Sequence, residues 1–377
     1  MGENKNDLVI LHVCDVDYNQ CSGVSSVVPN YFVYQNKYAT VGIFNCSSVR
    51  VEKLKDEKNV FYYDDYRRIS MLPEPFDKPD LIVFHEVYKP KYLLLCHELK
   101  NKNIPYIIIP HGCLTKLAQS HKRIKKIIGN KLFFEHFIKN AACIQYLSKN
   151  EYNNSAFIYK KYYIQGNGVN DIPGKNEYLA NSRKSNSFNF VYVGRFDYYI
   201  KGFDILFDAC SEISDFMKNN NINIKLFGYG DEKLLKRKIA YYNLWEIVKV
   251  YGPVFGEKKK NTLTKNDVFV QLSRTEGQPL GVMEAIALGM PVLVSNGTGL
   301  KNIVEKYRIG VVVDSDRFII SSMMLDMFLN KNELNQYSRN AYDYAKKNYD
   351  WDVISKEAIK NYFDIITHNT SMVGDKK

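Results

Sequence analysis

Glu276 and Glu284 stand eight positions apart in the stretch EGQPLGVME, with Gly277, Pro279 and Gly281 between them. The flanking runs DVFVQLS and PVLVSN read as buried strands, and the second carboxylate falls at the start of a helix. A loop that leaves a strand and opens a helix gathers free backbone N–H groups at the positive helix end, where phosphate binds. Glu276 in that loop lies beside whatever hangs from the phosphate. Glu284, a turn into the helix, lies near a ribose. The arrangement suggests a nucleotide-sugar site. The bland alternative is a solvated loop carboxylate and a helix-surface carboxylate, which the small residues Ala285, Ala287 and Gly289 make less apt.

Arg195 and Lys201 follow the apolar run FVYVG, with Gly194 and Gly202 marking tight backbone on either side. A diphosphate gains negative charge as it leaves, and fixed cations can stabilise it. His111 ends a strand-like run and precedes Gly112. Two other patterns read as decoys. Asp15 and Asp17 match a D-x-D metal motif but end the first strand. GYGDEK from Gly228 lacks the third glycine of a dinucleotide loop, because Lys233 stands there. The histidines show no metal-ligand spacing, and no metal is expected.

The elements that must position these residues alternate. Short runs rich in Val, Ile, Tyr and Phe, bounded by Gly, Pro, Asn and Asp, separate longer segments of helical spacing. In the first half they are LVILHVCDV, ATVGIFNC, PDLIVFHE, PYIIIPHG, CIQYLS and YYIQGNG. In the second they are FNFVYVGR, INIKLFGYG, VKVYGPV, DVFVQLS, PVLVSN and GVVVD. Such runs fit strands buried on both faces of a parallel sheet. Two successive sets predict two doubly wound α/β domains, divided near the polar stretch 167–187.

The 377 residues suffice for two domains, and the 25% charged fraction is normal for a globular chain. No apolar run is long enough for a membrane span. The first apolar run lacks a cleavage site and reads as a strand, not a signal peptide. Seven cysteines without a C-x-x-C read as reduced thiols, which fits a cytoplasmic location. The chain has 52 basic and 41 acidic residues, a net +11 that suggests an anionic partner. Residues 116–131 hold six Lys or Arg and no acidic residue, with Ile124, Ile127, Ile128 and Leu132 at helical spacing. A cationic amphipathic helix of this kind can lie on an anionic membrane surface through Lys122, Arg123, Lys125 and Lys126. The plainer reading is a surface helix with a basic outer face.

E-x(7)-E followed by A-x-A-x-G-x-P-V resembles the signature of the family-four retaining glycosyltransferases, which have the GT-B architecture. VYVGRFDYYIKGFDIL resembles that family's strand-G-R…K-G segment, IQGNGVN its N-G-V-D domain junction, and IPHGCL its His-Gly loop. Ser22-Gly23-Val24 stands where the family has a Gly-Gly loop. The nearest relatives by pattern build capsular or other surface polysaccharides in bacteria.

The resemblance implies two Rossmann-like domains facing a central cleft. Residues 1–170 would be the acceptor side, 171–349 the nucleotide-sugar side, and 350–366 a helix crossing back to the first domain. It implies a catalytic set of Glu276, His111, Arg195 and Lys201. Glu276 would bond a hydroxyl of the donor sugar, which His111 would face from across the cleft. Glu284 would bond the ribose. Gly194, Val254, Gly277, Gln278, the N–H groups of Leu280 and Gly281, and the Ser22-Gly23 loop would complete donor binding. Gln278-Pro279 replaces the family's Phe-Gly, and proline has no N–H, so one backbone contact is expected to be absent or shifted. The implied activity is transfer of a hexose or N-acetylhexosamine, with retention, from a UDP-linked donor to a saccharide acceptor. That acceptor is often lipid-linked at the inner membrane face. No cofactor is implied. The remaining classes are a catalytically silent partner subunit, against which the four intact polar residues argue, and a nucleic-acid-binding protein, for which no recognised module is present.

Overall fold

The computed structural model describes residues 8–17, 23–50, 54, 57–120, 123–157, 159, 161–170, 172–175 and 187–368. They form two compact units: Met1–Gly168 with Trp351–Lys377, and Val169–Asp350.

The first unit is built on β1 (Val9–Cys14), β2 (Thr40–Asn45), β3 (Val60–Tyr62), β4 (Leu81–His85), β5 (Tyr106–Ile109), β6 (Cys143–Tyr146) and β7 (Tyr162–Ile164). Their order is β3-β2-β1-β4-β5-β6-β7, with every pairing parallel. Ile10, Leu11, Val13, Ile43, Phe44, Ile82, Val83 and Phe84 are wholly buried, as strands covered on both faces require. The three-residue strand β3 is an addition to the sequence reading. It lies at the sheet edge, where a short strand leaves little unpaired backbone exposed.

The helix Trp351–His368 packs on the helix Gly23–Gln35 of the same unit. Trp351 is buried, with its ring 5.1 Å from Tyr31 in an edge-on contact. An aromatic anchor of this kind buries about 150–250 Å². Gln165, which follows Ile164, adds a tie to the first of these helices by donating to the Ile354 carbonyl at 2.9 Å.

The second unit comprises β8 (Phe188–Phe196), β9 (Ile222–Gly230), β10 (Val248–Tyr251), β11 (Val268–Gln271), β12 (Val292–Ser295) and β13 (Gly310–Val313). Their order is β10-β9-β8-β11-β12-β13, again all parallel. Two parallel sheets with covering helices confirm the expected α/β class. Cys14, Cys46, Cys96, Cys113, Cys143 and Cys210 are free thiols. Among the described residues, no helix is long and apolar enough to cross a membrane.

Candidate functional site

The second sheet reverses its winding between β8 and β11. Connections leave in opposite directions there, so the carboxyl ends of the two strands open a crevice, the usual ligand position in this topology. Arg195 belongs to the end of β8, Lys201 to the loop after it, and Glu276 to the loop after β11. Gly202 has φ +70°, and a Cβ there would fall 2.0 Å from the Leu272 carbonyl oxygen. Glycine alone lets the β8 loop lie on the β11 loop.

Lys201 and Glu276, 75 positions apart, meet at 2.5 Å between Nζ and Oε1. The same oxygen accepts from Ser273 Oγ at 2.7 Å and Gln271 Nε2 at 2.9 Å. The lysine side chain is 17% exposed and the glutamate 13%, so water screens the pair weakly. Arg274 fixes the two loops and was missed in the sequence. Its guanidinium forks onto both oxygens of Asp204 at 2.8 and 2.7 Å and lies 3.8 Å from the Tyr199 ring centroid. Its N–H donates to the Ile200 carbonyl at 2.9 Å. Arg195 is 57% exposed and faces Asp197 at 3.7 Å, so its guanidinium is open to solvent at the strand end.

The helix Leu280–Ala287 starts directly after this loop. Gly281 brings it close to β8, since a Cβ there would lie 2.8 Å from the Val193 carbonyl oxygen. Pro279 has φ −81° and ψ 82°, the geometry of an inverse γ-turn. The Leu280 N–H accordingly donates to the Gln278 carbonyl at 3.0 Å. That corrects the reading of Leu280 as a phosphate donor: the proline turn has already engaged its N–H. Gly281 keeps its place in the first helical turn, where N–H groups lack an intrahelical partner. Gly194, Gly277 and Gln278 are half-buried at the same strand ends and loop. The side chain of Val254 is 5% exposed and packs in the core with Val282 and Met283. Its apolar burial sets it beneath the site rather than on its surface.

Glu284 is half-buried, and Lys259, from the helix Gly256–Thr264, is ion-paired with its Oε2. Sequence inspection gave no sign of this partner, because Lys259 lies within the run Lys258–Lys260, which reads as a solvated face.

In the first unit, His111 has φ +50° and Gly112 φ +81°, so the chain turns sharply after β5. The Gly112 N–H donates to Glu151 Oε1 at 2.5 Å, and the Leu147 N–H donates to Glu151 Oε2 at 2.7 Å. Glu151 is wholly buried, and burial raises its pKa. Ser148 caps the helix Lys149–Asn153 by accepting from the Glu151 N–H. Ser148 and Glu151 thus have capping-box spacing, the signal that could have marked this carboxylate.

The ring of His111 is one end of a buried chain. His111 Nε2 lies 2.9 Å from His85 Nδ1, His85 Nε2 lies 2.9 Å from His12 Nδ1, and His12 Nε2 lies 2.9 Å from Gln35 Oε1. Burial lowers the pKa of His12 to about 4 and of His111 to about 3. His85 falls well below its ordinary value for the same reason. All three imidazoles are neutral at pH 7.

Asp15 is held by Lys89 at 3.2 Å, which also pairs with Glu86 at 3.0 Å. Among the described residues, no three His, Cys, Asp or Glu side chains are grouped to hold a metal ion. Gly23 is exposed at the start of its helix, while Ser22 and Lys122 lie outside the described residues.

The described residues of the basic segment are all helical. It runs as Lys116–Ser120, Arg123–Gly129, a π-helical turn Asn130–Phe134, and Glu135–Lys139. Ile124, Ile127, Ile128, Leu132 and Phe133 are all exposed, so its apolar side does not face the core. Lys125 is exposed, and the side chain of Arg123 lies outside the described residues. Lys126 departs from its expected surface role. Its ammonium donates to the Ala118 carbonyl and sits 5.2 Å from the Tyr88 ring centroid, held inward by a carbonyl and a π-face.

Residues 175–346 match the model of the family described as glycosyl transferases, group 1. Protein CapJ of Staphylococcus aureus is 24% identical over 283 residues, covering 72% of this chain and 69% of that protein. The amylovoran biosynthesis glycosyltransferase AmsK of Erwinia amylovora is 33% identical over 112 residues, 28% of this chain and 27% of its own length. Among solved structures, HepE of Anabaena, in complex with UDP and glucose, superimposes with a TM-score of 0.69 at 16% identity. That match covers 95% of this chain and all of HepE, a likeness of fold. The chain has the GT-B fold, and its residues 175–346 are similar to the group 1 glycosyl transferases.

Proposed function

We propose that the protein is a retaining, metal-independent glycosyltransferase that moves a hexose or N-acetylhexosamine from a UDP-linked donor to a saccharide acceptor in surface-polysaccharide synthesis. The observation that carries this reading is the Lys201–Glu276 pair beside the helix Leu280–Ala287, at the strand ends where the sheet reverses. Lys201 and Arg195 supply fixed positive charge for a leaving diphosphate. Glu276, held by Lys201, Ser273 and Gln271, is the carboxylate that would accept a sugar hydroxyl. Glu284 and Gly281 take the ribose and the phosphate. The name of AmsK, an amylovoran biosynthesis glycosyltransferase, and the UDP and glucose bound by HepE support the same class. No carboxylate is assigned as a covalent nucleophile. The leaving phosphate oxygen would take the acceptor proton, and the protein would contribute positioning and charge stabilisation.

The acceptor is proposed to be lipid-linked, with the enzyme at the cytoplasmic face of the membrane. Supporting this, Ile124, Ile127, Ile128 and Phe133 are exposed on the basic segment. The test is a transfer assay in chelator with UDP-glucose, UDP-galactose and UDP-N-acetylglucosamine, reading UDP release and product anomer. Release with retained configuration is expected. Turnover that requires Mg²⁺ or Mn²⁺, or an inverted product, would overturn the mechanism.

A further inference from the structure

His12 on β1, His85 on β4 and His111 in the turn just after β5 form one hydrogen-bonded row, and the row has a direction. Each neutral imidazole carries one N–H, so each link needs one donor and one acceptor nitrogen. The inner end of the row meets Gln35 Oε1, which can only accept. His12 must therefore carry its hydrogen on Nε2. Its Nδ1 is then a lone pair and takes the hydrogen of His85 Nε2. His85 Nδ1 in turn accepts from His111 Nε2. The reverse direction would set the His12 Nε2 lone pair against the Gln35 oxygen.

The Gln35 amide has a partner at each end. Gln145 gives its NH₂ to the Gln165 backbone carbonyl at 3.1 Å and to the Tyr31 hydroxyl at 3.3 Å. Its oxygen thus faces Tyr163, whose hydroxyl donates to it at 2.7 Å. Separately, the Tyr362 hydroxyl accepts from Gln35 Nε2 at 3.5 Å. Gln35 thus turns its Nε2 to Tyr362 and its Oε1 to His12. His12, Gln35, His85, Gln145, Tyr31 and Tyr362 are wholly buried, so no bulk water can reverse a link.

We propose that Gln35 is a positioning residue that sets the tautomer of the row, so that His111 presents an unprotonated Nδ1 to a substrate hydroxyl. This rests on the transferase reading for the identity of the substrate, but the tautomer itself does not. An unprotonated Nδ1 accepts a hydrogen bond from a sugar hydroxyl, whereas the opposite tautomer would offer an N–H to a carbonyl or phosphate oxygen.

The experiment is long-range ¹H–¹⁵N NMR of the full-length chain labelled at histidine, at neutral pH, for wild type, Gln35→Glu and Gln35→Leu. Wild type should show His12, His85 and His111 each as the single Nε2–H form. Gln35→Glu keeps an acceptor facing His12 and should keep that form at His111. Gln35→Leu removes the acceptor, and His111 should lose its single-tautomer signature. An Nδ1–H signal for His111 in wild type overturns the proposal, as does an unchanged His111 in folded Gln35→Leu. If Gln35→Leu does not fold, wild type and Gln35→Glu decide the matter. Absence of sugar transfer by a wild type with the expected tautomers would sink the transferase reading and leave the tautomer assignment standing.

Discussion

Replacing Lys201 by Met removes the cation from a carboxylate that has little other access to water. Glu276 is 13% exposed and would retain the neutral donors Ser273 and Gln271 among its partners. Breaking a fully buried pair costs about 3–5 kcal/mol. Two surviving hydrogen bonds, each worth about 0.5–1.5 kcal/mol, and the residual exposure bring the expected cost to about 2 kcal/mol. Glu276→Gln should cost less, since its oxygen still accepts from Ser273 and Gln271 while the longer lysine side chain can seek solvent. The double variant should recover most of the Lys201→Met loss, giving a coupling energy of about 1–2 kcal/mol in a cycle read from urea midpoints. Transfer activity should behave otherwise. Loss of a charge-stabilising group costs about 10²–10³ in kcat, and the double variant should not regain it. A Lys201→Met cost below about 0.5 kcal/mol, or a double variant that transfers sugar like wild type, would refute the reasoning.

Glu284→Ala and Lys259→Ala should have unequal effects on UDP affinity in calorimetry: the first weakens binding by losing the ribose bond, worth about 0.5–1.5 kcal/mol, while the second spares it. Equal affinity for UDP in Glu284→Ala and wild type would remove Glu284 from the donor site. Acid should destabilise the chain as pH falls from 6.5 towards 4, because the unfolded state protonates its histidines first while His12, His85 and His111 stay neutral in the fold. The slope approaches about 1.4 kcal/mol per pH unit for each histidine. Glu151 opposes it, since its raised pKa lets the folded state take a proton first. A urea midpoint that does not move between pH 7 and pH 5.5 would contradict this. On anionic vesicles, Ile124→Ser/Ile127→Ser/Ile128→Ser should bind at least tenfold more weakly than wild type, given about 1.5–3 kcal/mol for each fully buried isoleucine. Equal co-sedimentation would show that the exposed patch does not enter lipid.

The sheets were legible because parallel strands buried on both faces become continuous apolar runs, such as Val191–Val193 and Val292–Val294. Val60–Tyr62 escaped notice because three residues carry no period. In the site, residue types could be read but not their partners. Lys201 and Glu276 meet only once β8 and β11 are neighbours, and Arg274 reaches Asp204 across 70 positions by the same adjacency. His12 sits within the run LVILHVC, where it reads as one more core position. Only the order β1-β4-β5 brings it to His85 and His85 to His111. In the basic segment helical spacing predicts an apolar face, and only the structure shows that Ile124, Ile127 and Ile128 turn it away from the core.

The central claim is that the strand ends of β8 and β11 bind a nucleoside diphosphate through protein cations. The most direct measurement is calorimetric titration of UDP into wild type and Arg195→Ala, both in chelator. Arg195 is 57% exposed, so its removal should leave the fold intact. The account predicts metal-free UDP binding by wild type, weakened about tenfold to a hundredfold in the variant by loss of a charged contact worth about 1.5–3 kcal/mol. No binding until a divalent cation is added, or equal binding by the two proteins, would contradict it.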